Sequence, residues 1–353
     1  MDSLTHVVLG AGIQSAMLGR SQGRKALLYG AALCTPPDLD VFLPHADPVS
    51  LMTNHRTFSH SVWVLTAVAC LLAWLIRKRW PEAPYSGRRL FLTLWLVLMS
   101  HPFMDALTSY GTQVFWPLPN PPVSISSLFI IDPVFTLPLL LAFVACLIWG
   151  EGAARLRSFA LAFCAVYVAW TLAAKTYTEH RVLEALRQQG TPPVAVFSVP
   201  MPLNTLLWRV VARMPDDTYV DAVAGVLDTA PPEMVREPLN QAGVQLPNAP
   251  LLERLVWFTR DWLRYDVVGR NLVVSDLRMG MPGHYSFRFV MGRADDTGAW
   301  VPIRPERWPS ERGGWTELQQ ILRRIVSQSP PLPLAQWAAK TDTASVPATR
   351  AAQ

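Results

Sequence analysis

The chain has 353 residues, enough for two domains, of which 51% are hydrophobic and 16% charged. An average soluble domain is about 25% charged, and only eleven of the 31 Lys and Arg and eight of the 26 Asp and Glu lie in residues 1–174. The first half is therefore a membrane candidate. The net charge is +5, but no basic stripe interleaved with aromatic residues accompanies it, so a nucleic-acid partner is not expected.

Six apolar segments follow one another along the first half of the chain. A helix needs about 20 residues to cross a bilayer. The third, fifth and sixth segments are almost free of polar residues, whereas the first, second and fourth carry several. The pattern predicts a membrane α-helical bundle of about six spans over residues 1–178, with segments near 4–19, 26–43, 61–76, 90–107, 129–149 and 158–174.

Basic residues in the intervening loops predict the orientation. If the six segments alternate in direction, ten Lys and Arg fall on one side of the membrane, while the opposite loops, about 44–60 and 108–128, hold only Arg56. The basic side should face the cytoplasm. We therefore expect a multi-pass protein whose second half faces outward. The ten residues are Arg20, Arg24, Lys25, Arg77, Lys78, Arg79, Arg88, Arg89, Arg155 and Arg157.

Histidines and carboxylates gather at the outward ends of these segments. Ionisable groups at membrane depth are costly and indicate function by default, and imidazole with carboxylate is the usual ligand set of Zn²⁺, Mn²⁺ or Fe. Seven ligands exceed the four of a tetrahedral ion, so we predict one or two divalent metals, with Zn²⁺ favoured over Mn²⁺ or Fe. The predicted ligands are His6, Asp38, Asp40, His55, His60, His101 and Asp105.

Each of these residues also has a simpler explanation when taken alone. His6 on its own fits an interfacial histidine, and Asp38, which follows Pro36 and Pro37, fits a helix cap. Asp132 before Pro133 fits a common helix start. The convergence of four histidines and three carboxylates on one side favours a metal site over these separate explanations.

Five motifs carry a resemblance to a known family. MDSLTH, PPDLD, HRTFSHS, SHPFMDALTSYG and IIDP, in this order and spacing, resemble those of bacterial LexA-binding, inner-membrane-associated metal-dependent hydrolases. The resemblance covers about residues 1–210. It implies the bacterial inner membrane, metal-dependent hydrolysis and the motif histidines and aspartates as ligands, but no substrate. Phe58 and Ser59 stand where Gly and Thr are expected, and neither is a ligand position.

These features together predict a membrane-embedded metal-dependent hydrolase, active at the outer face of the inner membrane on a membrane lipid ester or phosphodiester. Arg56 and Asp38 are the expected catalytic residues, with the guanidinium binding the anionic part of the substrate. A metal or proton transporter is one alternative, which would need acidic residues continuing across the membrane. A signalling or scaffold protein with a structural metal is another. Nothing in the sequence predicts an oligomeric state.

The composition changes after Thr178. Short alternating runs, LLWRVVAR, TYVDAVAGVL, NLVVSDLRMG, HYSFRFVMGR and AWVPIR, predict strands, and Leu251–Arg264 and Trp315–Gln328 predict helices. We expect a small soluble α+β domain with an antiparallel sheet over residues 179–340. Residues 341–353, rich in Ala and Thr, are expected to form a disordered tail.

Overall fold

A computed structural model describes residues 1–310 and 313–343 of the chain. Two compact units divide it: a helical unit of Met1–Leu43 and Asn54–Leu172, and a second unit of Pro44–Thr53 and the chain from Ala173 onward. An N-terminal helical region followed by a sheet-rich C-terminal domain confirms the coarse prediction. Most of the predicted tail, from residue 344 on, lies outside the described residues.

Helices occupy all six predicted segments, and short polar side chains cap several of them. Asp2 accepts a hydrogen bond from Thr5 N (3.0 Å), and Ser61 and Ser86 act as caps further along the chain. Short 3₁₀ segments cover Pro36–Phe42, Phe58–His60 and Gly150–Ala153. The helices are α1 (Ser3–Gln22), α2 (Lys25–Cys34), α3 (Pro48–Asn54), α4 (Val62–Arg79), α5 (Gly87–Ala106), α6 (Pro133–Trp149) and α7 (Ala154–Gln188).

Two glycines let α1 and α2 approach closely. A Cβ atom at Gly10 would lie 2.8 Å from the carbonyl oxygen of Gly30 and 2.7 Å from Cβ of Cys34. Both distances are shorter than side chains tolerate, so small residues are needed at this crossing. The end of α2 is thereby held against α1, and the Pro36–Phe42 segment follows directly from it.

The prediction of six spans is wrong. Among the described residues, one helical stretch, Pro133–Gln188, is long and apolar enough to cross a membrane, and Pro48–His60 with Val62–Arg79 would make a second if they form one span. Helix α2 has ten residues, about 15 Å of helix against a hydrocarbon core of about 30 Å. Helices α1 and α5 are long enough but too polar, because ionisable and amide side chains interrupt them.

Antiparallel sheets build the second unit, as predicted. One sheet has the order β1-β2-β3-β4 and the other β10-β9-β6-β5, while β7 pairs with β8. The strands are β1 (Ala195–Pro200), β2 (Leu207–Arg213), β3 (Thr218–Gly225), β4 (Glu233–Pro238), β5 (Leu263–Val268), β6 (Asn271–Asp276), β7 (Gly280–Met281), β8 (His284–Tyr285), β9 (Arg288–Ala294) and β10 (Trp300–Arg307). The helices are α8 (Pro250–Thr259), α9 (Trp315–Arg324) and α10 (Leu334–Thr343).

The helix predicted over Leu251–Arg264 is too long. Helix α8 ends at Thr259 because Arg260 and Asp261 adopt left-handed backbone conformations (φ 53° and 61°). Strand β5 then begins at Leu263. Strands β1, β4 and β5 were missing from the sequence prediction. The runs of β1 and β4 do not alternate cleanly between apolar and polar residues, and the start of β5 was assigned to the predicted helix.

A fully buried ion pair lies in the first sheet. The guanidinium of Arg209 donates to both carboxylate oxygens of Asp221, the shortest contact being 2.6 Å, and neither side chain is exposed. Arg209 also donates to the carbonyl oxygen of Leu277 (2.6 Å). This arginine therefore links the sheet to the segment that follows β6.

Candidate metal centre

Four predicted ligands meet in one cluster of the helical unit. Asp38 comes from the 3₁₀ segment after α2, His60 from the 3₁₀ turn before α4, and His101 and Asp105 from α5. One ligand atom from each lies within 4.8 Å of the others. His101 and Asp105 share a helix face because they are four residues apart. We call these four residues the His/Asp cluster.

The cluster is buried except at Asp38. The side chains of His60, His101 and Asp105 are 0% exposed, whereas that of Asp38 is 23% exposed. Nε2 of His101 lies 3.2 Å from Oδ1 of Asp38 and 3.5 Å from Oδ2 of Asp105. Water or a substrate would therefore approach from the side of Asp38.

Both histidines of the cluster are oriented by contacts at Nδ1. In His101, Nδ1 donates to the carbonyl oxygen of Cys34 (2.8 Å). In His60, Nδ1 donates to Oγ of Ser59 (2.9 Å), whose hydroxyl donates to Asp40 (2.5 Å). An acceptor at Nδ1 leaves the lone pair on Nε2, the arrangement usual for metal-binding histidines. Both Nε2 atoms face the carboxylates of the cluster.

The centre of the cluster fits a cation. Nε2 of His60 lies 3.0 Å from Oδ2 of Asp105, yet both atoms are buried without a hydrogen-bond partner among the described residues. Unpaired buried polar atoms are costly. A divalent cation that accepts both lone pairs would remove this cost, and imidazole with carboxylate is a donor set suited to Zn²⁺.

His6 and Arg56 contact the other oxygen of Asp105. Oδ1 lies 3.2 Å from Nε2 of His6 and 3.0 Å from Nη2 of Arg56, and it also accepts from the amino group of Met1. His6 stacks on His101 with ring centroids 3.7 Å apart. Because Oδ1 is engaged by these groups, Oδ2 is the oxygen left for the cluster.

Asp40 and His55 form a separate pair beside the cluster. Nδ1 of His55 lies 2.5 Å from Oδ1 of Asp40, while Oδ2 accepts from Ser59 and from the backbone N–H of Arg56 (2.9 Å). Burial raises the pKa of Asp40, but the hydrogen bonds from His55 and Ser59 outweigh it and lower that pKa. Asp40 is thus a carboxylate saturated by protein donors.

The seven predicted ligands therefore occupy three positions. Four form the cluster, and His6 adjoins it through Asp105. Asp40 and His55 lie on the side of Nδ1 of His60, to which Asp40 is linked through Ser59. His6 also has a donor atom within 4.8 Å of those of Cys34 and His101.

Arg56 is more deeply engaged than the sequence suggested. Its side chain is 4% exposed, donates to Oγ1 of Thr108 (3.2 Å) and lies 4.9 Å from the ring centre of Tyr110. Thr108 and Tyr110 were missed by the sequence analysis, although both belong to the motif SHPFMDALTSYG. Ser59, also missed, stands in HRTFSHS.

Asp132 has the structural role that its position before a proline suggests. It caps α6 by accepting from Phe135 N (3.1 Å), and it accepts from the hydroxyl of Tyr167 (3.0 Å). It is fully buried.

Comparison with known proteins agrees with the membrane assignment. Residues 1–178 match the model of a protein family described as YdjM inner membrane protein. The chain is 28% identical over 161 residues to YfhP of Bacillus subtilis (strain 168), an uncharacterized protein, and this match covers 43% of the chain and 47% of YfhP. The chain thus matches less than half the length of that relative. No solved structure matches.

Proposed function

Since the chain belongs to the YdjM inner membrane protein family, we propose that it is an inner-membrane metal-dependent hydrolase whose His/Asp cluster holds the metal. The observation that carries this proposal is the pair of buried atoms, Nε2 of His60 and Oδ2 of Asp105, which face each other at 3.0 Å without a hydrogen bond. Zn²⁺ suits this donor set best, with Mn²⁺ or Fe as alternatives.

The cluster residues would have two roles, metal binding and proton transfer. Asp38, His60, His101 and Asp105 would hold the ion, which when bound would lower the pKa of water to about 7 and polarise the scissile group. Asp38 lies at the exposed edge, and the one hydrogen bond that its Oδ2 accepts within the described part of the chain is a long one, 3.3 Å from Oγ of Ser3. We assign Asp38 the further role of accepting a proton from the attacking water.

Arg56 is a positioning residue in this proposal. Its guanidinium pairs with Oδ1 of Asp105 and so orients Oδ2 towards the ion. Its Nε atom is also buried and has no hydrogen-bond partner among the described residues. The contact with Asp105 supports this positioning role rather than the substrate-binding one expected from the sequence.

Exposed apolar side chains beside the cluster support a lipid substrate. Leu39 and Phe42 are 51% and 80% exposed on the segment that carries Asp38. Phe58, in the turn that carries His60, is 44% exposed and packs edge-on against Trp116. Exposed apolar groups of this size mark a membrane or ligand surface, so a lipid ester or phosphodiester is the proposed substrate.

The charges at the two ends of the helical unit support an outward-facing site. We call one end the basic end: there the C-terminal end of α1 meets the start of α5 through the bond from Arg89 to the Met17 carbonyl (2.9 Å). Arg24, at the start of α2, donates to the carbonyl of Ile148 at the end of α6 (2.6 Å). The cluster lies at the opposite ends of α2, α4 and α5. If the basic end faces the cytoplasm, the cluster faces the periplasm.

The test compares Asp38→Asn with Asp132→Asn in protein purified in detergent. Metal content is measured by mass spectrometry, and turnover is measured on a panel of lipid ester and phosphodiester substrates. Asp38→Asn should lose turnover by at least about 10², the low end for a general base, whereas Asp132→Asn should retain it because Asn also caps helices. Two outcomes would contradict the proposal. One is wild-type protein that binds no metal, and the other is wild-type protein that binds metal but shows either no turnover or a turnover that Asp38→Asn leaves unchanged.

A further inference from the structure

A cavity opens at the basic end, and none of the four cluster residues lines it. Its volume is about 880 Å³, within the size range of small-molecule sites. Leu90 and Leu94, 1% and 5% exposed, form part of its inner wall. Lys25 and Arg79 lie at its exposed rim. The cavity therefore joins an apolar interior to a cationic entrance.

The connection between α4 and α5 forms one wall of this cavity, and it is fastened in place. Nη1 of Arg77 donates to the carbonyl oxygen of Tyr85 (3.2 Å). Ser21, from α1, donates to the carbonyl oxygen of Pro84 (3.5 Å). These contacts tie the wall to both neighbouring helices, so the cavity is a built feature of the fold.

Gln14 supplies a specific polar group inside the cavity. It is 2% exposed and its Nε2 donates to Oε1 of Gln22 (3.0 Å). Its Oε1 is buried without a hydrogen-bond partner among the described residues. A buried acceptor without a partner is costly, and a ligand that brings a hydroxyl or ammonium donor would remove that cost.

We propose that this cavity binds one anionic glycerophospholipid, with phosphatidylglycerol as the head group that fits best. The phosphate binds Lys25 and Arg79, a glycerol hydroxyl donates to Gln14, and an acyl chain lies along Leu90 and Leu94. The carboxylate of Glu82, also in the lining, accepts from a second hydroxyl. Phosphatidylcholine has no donor for either acceptor, so the site discriminates against it.

Aromatic residues at the rim agree with a lipid ligand. Trp80 and Tyr29 line the cavity and are 55% and 51% exposed. Tyrosine and tryptophan are enriched where membrane helices meet the lipid head groups. With the basic end on the cytoplasmic side, the ligand comes from the inner leaflet. The proposal concerns a site separate from the His/Asp cluster and stands without the proposed activity.

The test measures lipid binding to the full chain in detergent by native mass spectrometry, with phosphatidylglycerol and phosphatidylcholine of equal chain length. Wild type should bind phosphatidylglycerol at least about tenfold more tightly than phosphatidylcholine. Lys25→Ala combined with Arg79→Ala should weaken phosphatidylglycerol binding by about 10-fold or more, the loss expected for a charged hydrogen bond.

The matched control is Lys78→Ala. Lys78 neighbours Arg79 in sequence but lies over the ring of Trp74 (5.1 Å) and is absent from the cavity lining. Its loss should leave binding within about twofold, as for a screened surface charge. Equal weakening in Lys78→Ala, or unchanged binding in the double variant, would overturn the proposal.

Gln14→Met tests the head-group contact, because methionine keeps a similar volume without an acceptor of comparable strength. It should narrow the preference for phosphatidylglycerol over phosphatidylcholine and leave only the part that comes from Glu82. Discrimination equal to that of wild type would refute the role of Gln14. Inorganic phosphate and glycerol 3-phosphate are titrated as soluble competitors up to about 10 mM, well above ordinary phosphate-site affinities. Displacement of the lipid by inorganic phosphate at micromolar concentration would assign the site to a free anion and overturn the lipid assignment.

Discussion

The two histidines of HRTFSHS should respond oppositely to replacement by alanine. His60 directs Nε2 into the cluster at 3.0 Å from Asp105. His55 instead pairs with Asp40 through Nδ1 at 2.5 Å and packs its ring edge-on against that of His60, with the centroids 6.0 Å apart. We therefore expect His60→Ala to lose the metal and His55→Ala to keep it, although the sequence assigned both residues as ligands.

The expected change in metal affinity depends on where each imidazole ring lies. Zinc sites with four protein ligands are worth about 10–16 kcal/mol. One ligand of four then contributes about 3 kcal/mol, so His60→Ala should raise the dissociation constant by about 10²-fold or more. An outer partner that orients a ligand typically contributes about 10- to 100-fold. His55 packs against His60 but is linked to it by hydrogen bonds only through Asp40 and Ser59, so His55→Ala should cost less than about 10-fold.

The assay is a chelator competition on purified protein, with zinc content measured by mass spectrometry. Because His60 is fully buried, His60→Gln is prepared as a second variant that fills more of the vacated volume. Thermal unfolding in excess chelator reports the fold without metal. Equal loss of zinc in the His60 and His55 variants, or full zinc affinity in both His60 variants, would refute the assignment of the cluster.

Three further predictions concern orientation and the sheet-rich unit. Alkaline phosphatase fused after Gly190 should be active and fused after Pro81 inactive if, as proposed, the basic end faces the cytoplasm; activity in the reverse pattern would place the cluster inside. Asp221→Ala should lower the free energy of unfolding by about 3–5 kcal/mol, since it leaves a fully buried guanidinium unpaired; a loss below about 1 kcal/mol in denaturant titrations would contradict this. Burial raises the pKa of Asp228, but hydrogen bonds, first that from Arg324, outweigh it and lower that pKa. Its stabilisation is therefore complete above the unfolded-state pKa of about 4 and is lost as the pH falls below it; melting temperatures of wild type and Arg324→Gln that decline equally between pH 6 and 3 would argue against the pairing.

The residues of the His/Asp cluster could be predicted from residue types and from their order along the chain. Charge asymmetry and alternating segments placed His60, His101, Asp38 and Asp105 at one end of the helices, and the structure brings these four together. The sequence could not separate the proposed ligands from the residues that orient them. Asp40 has the same chemistry as Asp38 and stands two residues away. Only the fold shows that its oxygens are saturated by protein donors.

The role of Arg56 shows a related limit of sequence reasoning. A guanidinium between two histidines suggests that an anion binds there, and the sequence analysis assigned that anion to the substrate. The backbone of Arg56 has a left-handed conformation (φ 62°), which no periodic pattern predicts. In the structure its Nη2 lies against Oδ1 of Asp105, 49 positions later in the chain. Long-range pairing of this kind depends on helix packing and cannot be deduced from local spacing.

The error in the number of spans and the convergence of the site have one physical cause. Helix α1 carries His6 and Gln14, and α5 carries His101 and Asp105, as buried polar residues. Such groups cannot face lipid at acceptable cost, so these helices fail the apolarity that a span requires. Inside the helical unit such groups contact one another instead, as His6 and Arg56 contact Oδ1 of Asp105. The α1 and α5 helices, which are too polar to cross a membrane alone, are therefore the ones whose buried polar side chains meet at Asp105.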